Sequence, residues 1–235
     1  MARASTRRGD RVLVGVGMRQ LRKLYIGVVV VGALLLATAA ASATPVRDMP
    51  ATTQVLPAAP SAEPPCGEGR WAVKTLTDPA ARLIDMTPRL TTVGALRRLR
   101  FPAHLHNVPR IRGVETTTYV VRAALIGTML QGDHDIHLVI ADPGRLARTM
   151  IVEFPKAACT RGASPQVRLK MRQARGALIR ACGAPSAVKF KRFTGRATLS
   201  GVGFFDRPHR QIGVAPNGIE LHPVLAFSKA HCRPR

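Results

Sequence analysis

The stretch Gly132-Asp133-His134-Asp135-Ile136-His137-Leu138-Val139-Ile140 puts two aspartates and two histidines into five consecutive positions, directly ahead of core-type aliphatics. Alternate side chains of a strand share a face. Ile136, Leu138 and Ile140 form the core-facing set, which leaves Asp135 and His137 as neighbours on the other face. Gly218-Ile219-Glu220-Leu221-His222-Pro223 repeats the arrangement, with Glu220 and His222 on one face and Ile219 and Leu221 on the other. Same-face neighbours lie roughly 6–7 Å apart. If the two strands meet, Asp135, His137, Glu220 and His222 supply four N/O ligands, a set suited to a divalent transition metal more than to calcium. The same pairs would also serve hydrolysis, with a carboxylate orienting an imidazole base. The plain structural reading is that the acids pair with arginines and the histidines are hydrogen-bonded parts of the core. No residue is assigned a catalytic role.

Weaker candidates surround these. Asp206 and His209 flank a loop beside Phe204-Phe205. Glu153 points opposite to Val152 and Phe154 and is expected at the surface. The chain carries no G-x-S-x-G, H-E-x-x-H, P-loop or Rossmann fingerprint.

The elements that must position these residues follow from periodicity and breakers. Residues 71–78 have strand composition and end at Asp78-Pro79. Residues 91–100 read as a short helix weakened by Gly94. Residues 116–130, rich in β-branched side chains, read as a long strand, with Gly127 marking a bulge. Residues 134–141 and 148–154 read as two further strands. Asp142-Pro143-Gly144-Arg145 between them has proline and glycine where a β-turn needs them. The three strands form an antiparallel meander. Ser164-Pro165 then opens a helix over 165–182, apolar at Val167, Met171, Ala174, Leu178 and Ala181, with Gly183 as its stop. Its other side is basic, and Arg168, Arg172 and Arg175 are candidates for gripping an anionic polymer. Strands over 193–206 and 218–227 close the domain, the second entered through the Asn217-Gly218 turn signal. The fold class expected is mainly β with one inserted helix, as a small OB-like barrel. A β-sandwich or another α+β layer is the alternative.

Residues 24–41 form an uncharged apolar run, preceded by Arg19, Arg22 and Lys23 and followed by Ala41-Ser42-Ala43. Residues 1–43 therefore read as a secretory signal, for which Met18 is an alternative start. An uncleaved membrane anchor over 24–41 is the competing reading and the only membrane contact expected. Residues 44–65 hold six prolines and read as a disordered linker, leaving 66–235 as one disulfide-stabilised domain. The four cysteines, Cys66, Cys159, Cys182 and Cys232, are even in number and lack C-x-x-C spacing, which points to two disulfides in an oxidising compartment. The pairing preferred from sequence is Cys159–Cys182 and Cys66–Cys232, among three connectivities.

The formal net charge of +23 favours phosphate polymers, anionic headgroups or acidic wall polymers as partners. At 4% aromatic content a base-stacking platform is disfavoured.

Three stretches carry a resemblance: Trp71 to Asp78; Gly132 to Ile140 with the following Ile151-Val152-Glu153-Phe154-Pro155; and Gly201 to Leu225. Together they resemble a family of exported bacterial proteins to which no activity is assigned. The similarity spans most of residues 66–227 and is most specific from Gly201 to Val224. The family pattern has His-Gly-Gln where this chain has His209-Arg210-Gln211. The resemblance implies an exported bacterial protein and transfers neither an activity nor a site.

The leading functional expectation is an exported binding domain whose basic surface meets nucleic acid or another anionic polymer, with an accessory metal site. The alternatives are a metal-dependent phosphodiesterase or nuclease, and a purely structural exported domain.

Overall fold

The computed structural model describes residues 66–67, 69–106, 108–208 and 210–234. The expected signal and linker lie outside the described residues, as does His209. The elements run in the order α1 (Trp71–Lys74), β1 (Asp85–Thr91), α2 (Val93–Leu96), β2 (Thr117–Leu130), β3 (Ile136–Asp142), β4 (Arg145–Phe154), α3 (Pro165–Cys182), β5 (Lys191–Phe205) and β6 (Ile219–Pro234). Two 3-10 turns, Pro79–Leu83 and Ala157–Thr160, lie between them.

The protein is mainly β, a six-stranded mixed sheet in the order β1-β2-β3-β4-β6-β5, with β5 paired again to β2. The meander β2-β3-β4 is antiparallel. The β4–β6 pair is parallel, as is β1–β2. The expected turn joins β3 to β4, with Gly144 at φ 82° as a type II turn requires at its third position. Gly127 falls where the β2 register shifts against both β3 and β5.

Ile136, Leu138, Ile140, Met150, Val152 and Phe154 are fully buried and meet Leu199, Leu221 and Phe227 from β5 and β6. Each such side chain contributes roughly 1.5–3 kcal/mol. A one-residue slip of β3 would exchange this set for His137 and Val139, so the register is strongly fixed. Helix α3 begins where expected: the Ser164 hydroxyl accepts from the Val167 N–H and Pro165 occupies the first turn. Met171, Ala174 and Leu178 form its buried side, and Gly183 ends it at φ 79°.

Two expectations require correction. Residues 71–78 are not a strand. Arg70 has φ 56°, the Thr75 hydroxyl donates to the Trp71 carbonyl, and Arg110 donates to the Val73 carbonyl and to Asp78. These bonds use the backbone groups a strand would pair, and one helical turn results.

The disulfides are Cys66–Cys159 and Cys182–Cys232, with Cα separations of 5.6 and 5.0 Å, not Cys159–Cys182 and Cys66–Cys232. Cys159 precedes α3 and Cys182 is its last residue. At 1.5 Å per residue α3 is roughly 27 Å long, which carries Cys182 away from the turn that holds Cys159 by much more than disulfide reach. Cys232, opposite Gly195 on β5, comes to the C-terminal end of α3 instead. Two disulfides suit an oxidising compartment. No helix among the described residues is long and apolar enough to cross a membrane.

Candidate metal centre on the outer face of β3, β4 and β6

The register builds the site. His137 on β3 is paired with Glu153 on β4. On the other edge of β4, Ile151 and Val152 align with Glu220 and Leu221 of the parallel β6. The next step of that register sets His222 beside Glu153. Asp135 enters from the turn before β3. The Asp133 carboxylate accepts from the Asp135 N–H at 3.0 Å, and Asp135 Oδ1 accepts from the Lys156 N–H at 2.7 Å.

His222 is the centre of the arrangement. Its Nε2 lies 3.5 Å from Asp135 Oδ2; its Nδ1 lies 3.5 Å from Glu153 Oε2 and 3.9 Å from Glu220 Oε2. The other Glu153 oxygen is 3.4 Å from His137 Nδ1. His137 Nε2 donates to the Ile212 carbonyl at 2.9 Å, which fixes the proton on that nitrogen. Relative exposures of these five side-chain donors' residues run from 0% for Asp135 to 8% for Glu153, so the cluster is sealed.

Three parts of the chain seal it. Helix α1 turns Trp71 edge-on to His222 at 6.4 Å and sends Lys74 Nζ to Asp206 Oδ2 at 2.8 Å. Phe204 closes another side, its ring 5.8 Å from His222. The β5–β6 loop lies over β3. Gly213, at φ 95°, would place a Cβ 2.5 Å from a Val139 methyl, so only glycine lets the loop descend this far.

All four residues expected as ligands come together here. Glu153, expected at the surface, is buried between the two imidazoles, because the outer face of β4 is covered. Asp206 joins the cluster through Lys74. Four of the nine acidic residues among the described residues thus gather at one place in a strongly basic chain. Their cations are two histidines and a lysine, whereas arginines serve other acids: Arg70 binds Glu115, and Arg110 binds Asp78. On α3, Arg172 is exposed. Arg168 is half-buried, with its Nη1 3.5 Å from the Arg161 carbonyl. Arg175 donates to the carbonyls of Phe154 at 2.6 Å and His134 at 2.8 Å, which braces the turn carrying Asp135 and commits two of its N–H groups.

Burial alone would lower the pKa of His222, but the carboxylates of Asp135, Glu220 and Glu153 outweigh it and raise it to about 9. Burial pushes Glu153 up, and the imidazoles of His137 and His222, with Lys74 behind them, pull it down further, to about 2. Burial raises Asp135. It also raises Glu220, with the Glu153 charge adding to the shift.

Without a bound ion, the Glu153 contribution is complete above its ordinary 4.5 and disappears as pH falls through about 2. The His222 contribution is complete below 6.5 and disappears as pH rises through about 9. Urea midpoints measured in EDTA should therefore decline as pH rises from 6.5 through about 9, whereas on the acid side the loss from Glu153 is opposed by Asp135 and Glu220, whose raised pKa values favour the folded state as pH falls. A flat profile from pH 6.5 to 9 would refute the assignment of a protonated His222.

Hydrogen bonding is incomplete. Asp135 Oδ2, His137 Nδ1 and both ring nitrogens of His222 are buried with no hydrogen-bond partner. Buried polar atoms without partners are uncommon, and a missing ion is one reason for them. Asp135, Glu153 and His222 can each offer a ligand atom, all within 4.8 Å of one another. Two ligands at the usual 2.0–2.2 Å from one ion are at most about 4.4 Å apart, so a small contraction would suffice. This buried Asp/Glu/His group can hold a metal. No protein-family model, curated protein or solved structure matches the chain.

Proposed function

We propose that the protein is an exported binding domain of OB-like barrel type that holds a divalent transition metal through Asp135, Glu153 and His222 and takes an anionic polymer on its arginine-rich surface. The observation that carries the metal reading is His222: an imidazole 1% exposed, neither nitrogen hydrogen-bonded, facing carboxylates from the β3 turn, β4 and β6. One imidazole and two carboxylates suit zinc or manganese. His137 would then stand behind Glu153, orienting it from the Ile212 carbonyl.

The barrel reading is supported by the ring of pairings β2-β3-β4-β6-β5-β2, by the parallel β4–β6 pair and by the position of α3 between β4 and β5. OB-folds bind ligands on their second and third strands and at the loops after the first and fourth. Here those are β3, β4 and the loops after β2 and β5, where the cluster lies. That correspondence is fold-level analogy. Export is supported by the two disulfides together with the signal read over residues 1–43.

A phosphodiesterase would need its ion open to substrate. The enclosure of the cluster by Trp71, Phe204 and Lys74 favours a metal that stabilises and shapes the domain. The metal-free alternative is an ion-paired seam of protonated histidines.

Thermal melting after EDTA stripping, followed by zinc and manganese titration, separates the two. An ion at a hundredfold its Kd adds about 2.7 kcal/mol. In a domain of this size that raises Tm by roughly 5–10 °C. Asp135→Asn, which keeps the side-chain shape, should abolish most of the rise, as should His222→Ala. If no transition metal moves Tm by more than about 1 °C, the cluster is a seam and the metal reading fails.

A further inference from the structure

We infer that the anionic-polymer site is a groove on the outer face of β2, β5 and β6, and that it is built to take the backbone of an extended single-stranded nucleic acid; this rests on the proposed polyanion reading and locates it away from α3. The groove has a volume of about 810 Å³. Its apolar floor includes Ile126 and Leu146, and its cations are Arg192, Arg196, Arg233 and His231. Among the described residues, no acidic side chain lines it. The acid nearest in sequence, Asp142, is occupied in accepting from the Val93 and Gly94 N–H groups.

The spacing of the cations points to a polymer. On β5, Arg192, Thr194 and Arg196 share a face. Arg233 of β6 is paired with Thr194, and His231 with Arg196. Arg122 of β2 is paired with Thr198, two residues further along. The rungs are therefore Arg192, Arg233, then Arg196 with His231, then Arg122, one every two residues. All five side chains are exposed, and none is in an ion pair among the described residues. Two residues of strand advance roughly 6–7 Å. A compact anion would need convergent cations; a ladder suits a chain with one charge per repeat. The step is about twice the 3.4 Å rise per nucleotide of a stacked strand, which fits a strand drawn out and unstacked. Four of the five side chains are guanidinium forks, which match phosphate oxygens two at a time. Phe190, beside the ladder, is covered by Arg192 at 5.7 Å, and Phe193 is buried in the core, so recognition would be of backbone charge without base stacking.

Helix α3 is the rival surface. Of its three candidate arginines, Arg175 holds two carbonyls and Arg168 is half-buried.

Fluorescence anisotropy of a labelled sixteen-residue oligo-dT tests the assignment in EDTA, from 50 to 200 mM salt. The full chain should bind the single strand more tightly than a duplex of equal length. Arg192→Ser with Arg196→Ser should weaken binding at least tenfold and reduce the salt slope by roughly 1.4, about 0.7 per lost phosphate contact. Arg168→Ser with Arg172→Ser should change it less than twofold. Both pairs of substitutions should leave Tm unchanged. If wild type binds and the two double variants are equally affected, the groove assignment is wrong while the polyanion reading stands. If wild type binds a sulfated polysaccharide or an anionic phospholipid vesicle but not the oligonucleotide, the nucleic-acid assignment is wrong. If it binds none of these, the polyanion reading itself falls.

Discussion

Glu153→Ala should cost about 3–5 kcal/mol of stability in EDTA at pH 6, the range expected when one partner of a buried ion pair is removed. Glu153 faces two imidazoles, His137 at 3.4 Å and His222 at 3.5 Å. At pH 6 both are protonated, because burial, which disfavours their charged forms, is outweighed by these carboxylates. Removing Glu153 leaves two buried cations facing Asp135 and Glu220, whose own pKa values burial raises. The loss should be smaller at pH 8.5, where imidazoles deprived of Glu153 shed their protons. Glu153→Gln keeps the volume and one acceptor and should cost clearly less than alanine. Urea denaturation of the three proteins at both pH values checks this. A loss under 1 kcal/mol for alanine at pH 6 would mean that Glu153 does not hold the imidazoles.

That Glu153 matters was not legible from alternation alone. Val152 and Phe154 mark the inner face of β4, and alternation assigns the opposite face to solvent. Both faces are covered: Ile151 and Val139 are fully buried beside Glu153 and His137. The signal available was composition. Residues 149–155 contain no polar residue besides Thr149 and Glu153, and a strand with apolar residues at both parities is buried on both sides. The two carboxylate–imidazole pairs were legible because the period of two holds within each strand. Their neighbour relation was not, since it depends on a parallel contact between β4 and β6 across a long crossover. Helix α3 was readable to its ends because its cap, proline, apolar face and terminal glycine agree. The failure at 71–78 has the opposite cause: the partners that fold α1, among them Arg110 and Glu115, lie 30 or more residues away in sequence. The same distance defeats cysteine pairing, where the length of α3 decides which sulfurs can meet.

The bridge Cys66–Cys159 is the second point at which a large effect is expected. It closes a segment with a sequence separation of 93, for which chain entropy gives about 4–5 kcal/mol, at the upper end of the usual 2–5 for a native disulfide. Cys66→Ser with Cys159→Ser should therefore lower Tm by roughly 10–20 °C. The local consequence is more telling. Five residues beyond Cys66 stands Trp71, the single tryptophan of the chain, edge-on to His222, and three further on Lys74 reaches Asp206. Gly67 is pressed into the same cover: a Cβ there would come within 2.5 Å of both the Asp133 carboxylate and the Trp71 ring. Cutting the tether should free this segment from the cluster, shift Trp71 emission to the red and expose it to acrylamide at temperatures well below Tm. Cys182–Cys232 makes the matched control, because it ties the far end of α3 to β6. Its removal should lower Tm while leaving Trp71 emission unchanged. Equal emission spectra for both disulfide variants would show that α1 is held by Arg70, Lys74 and Trp71 alone. A red shift confined to the Cys66–Cys159 variant would make the oxidised bridge the element that keeps water from the buried carboxylates and imidazoles, tying the chemistry of the site to the redox state of its compartment.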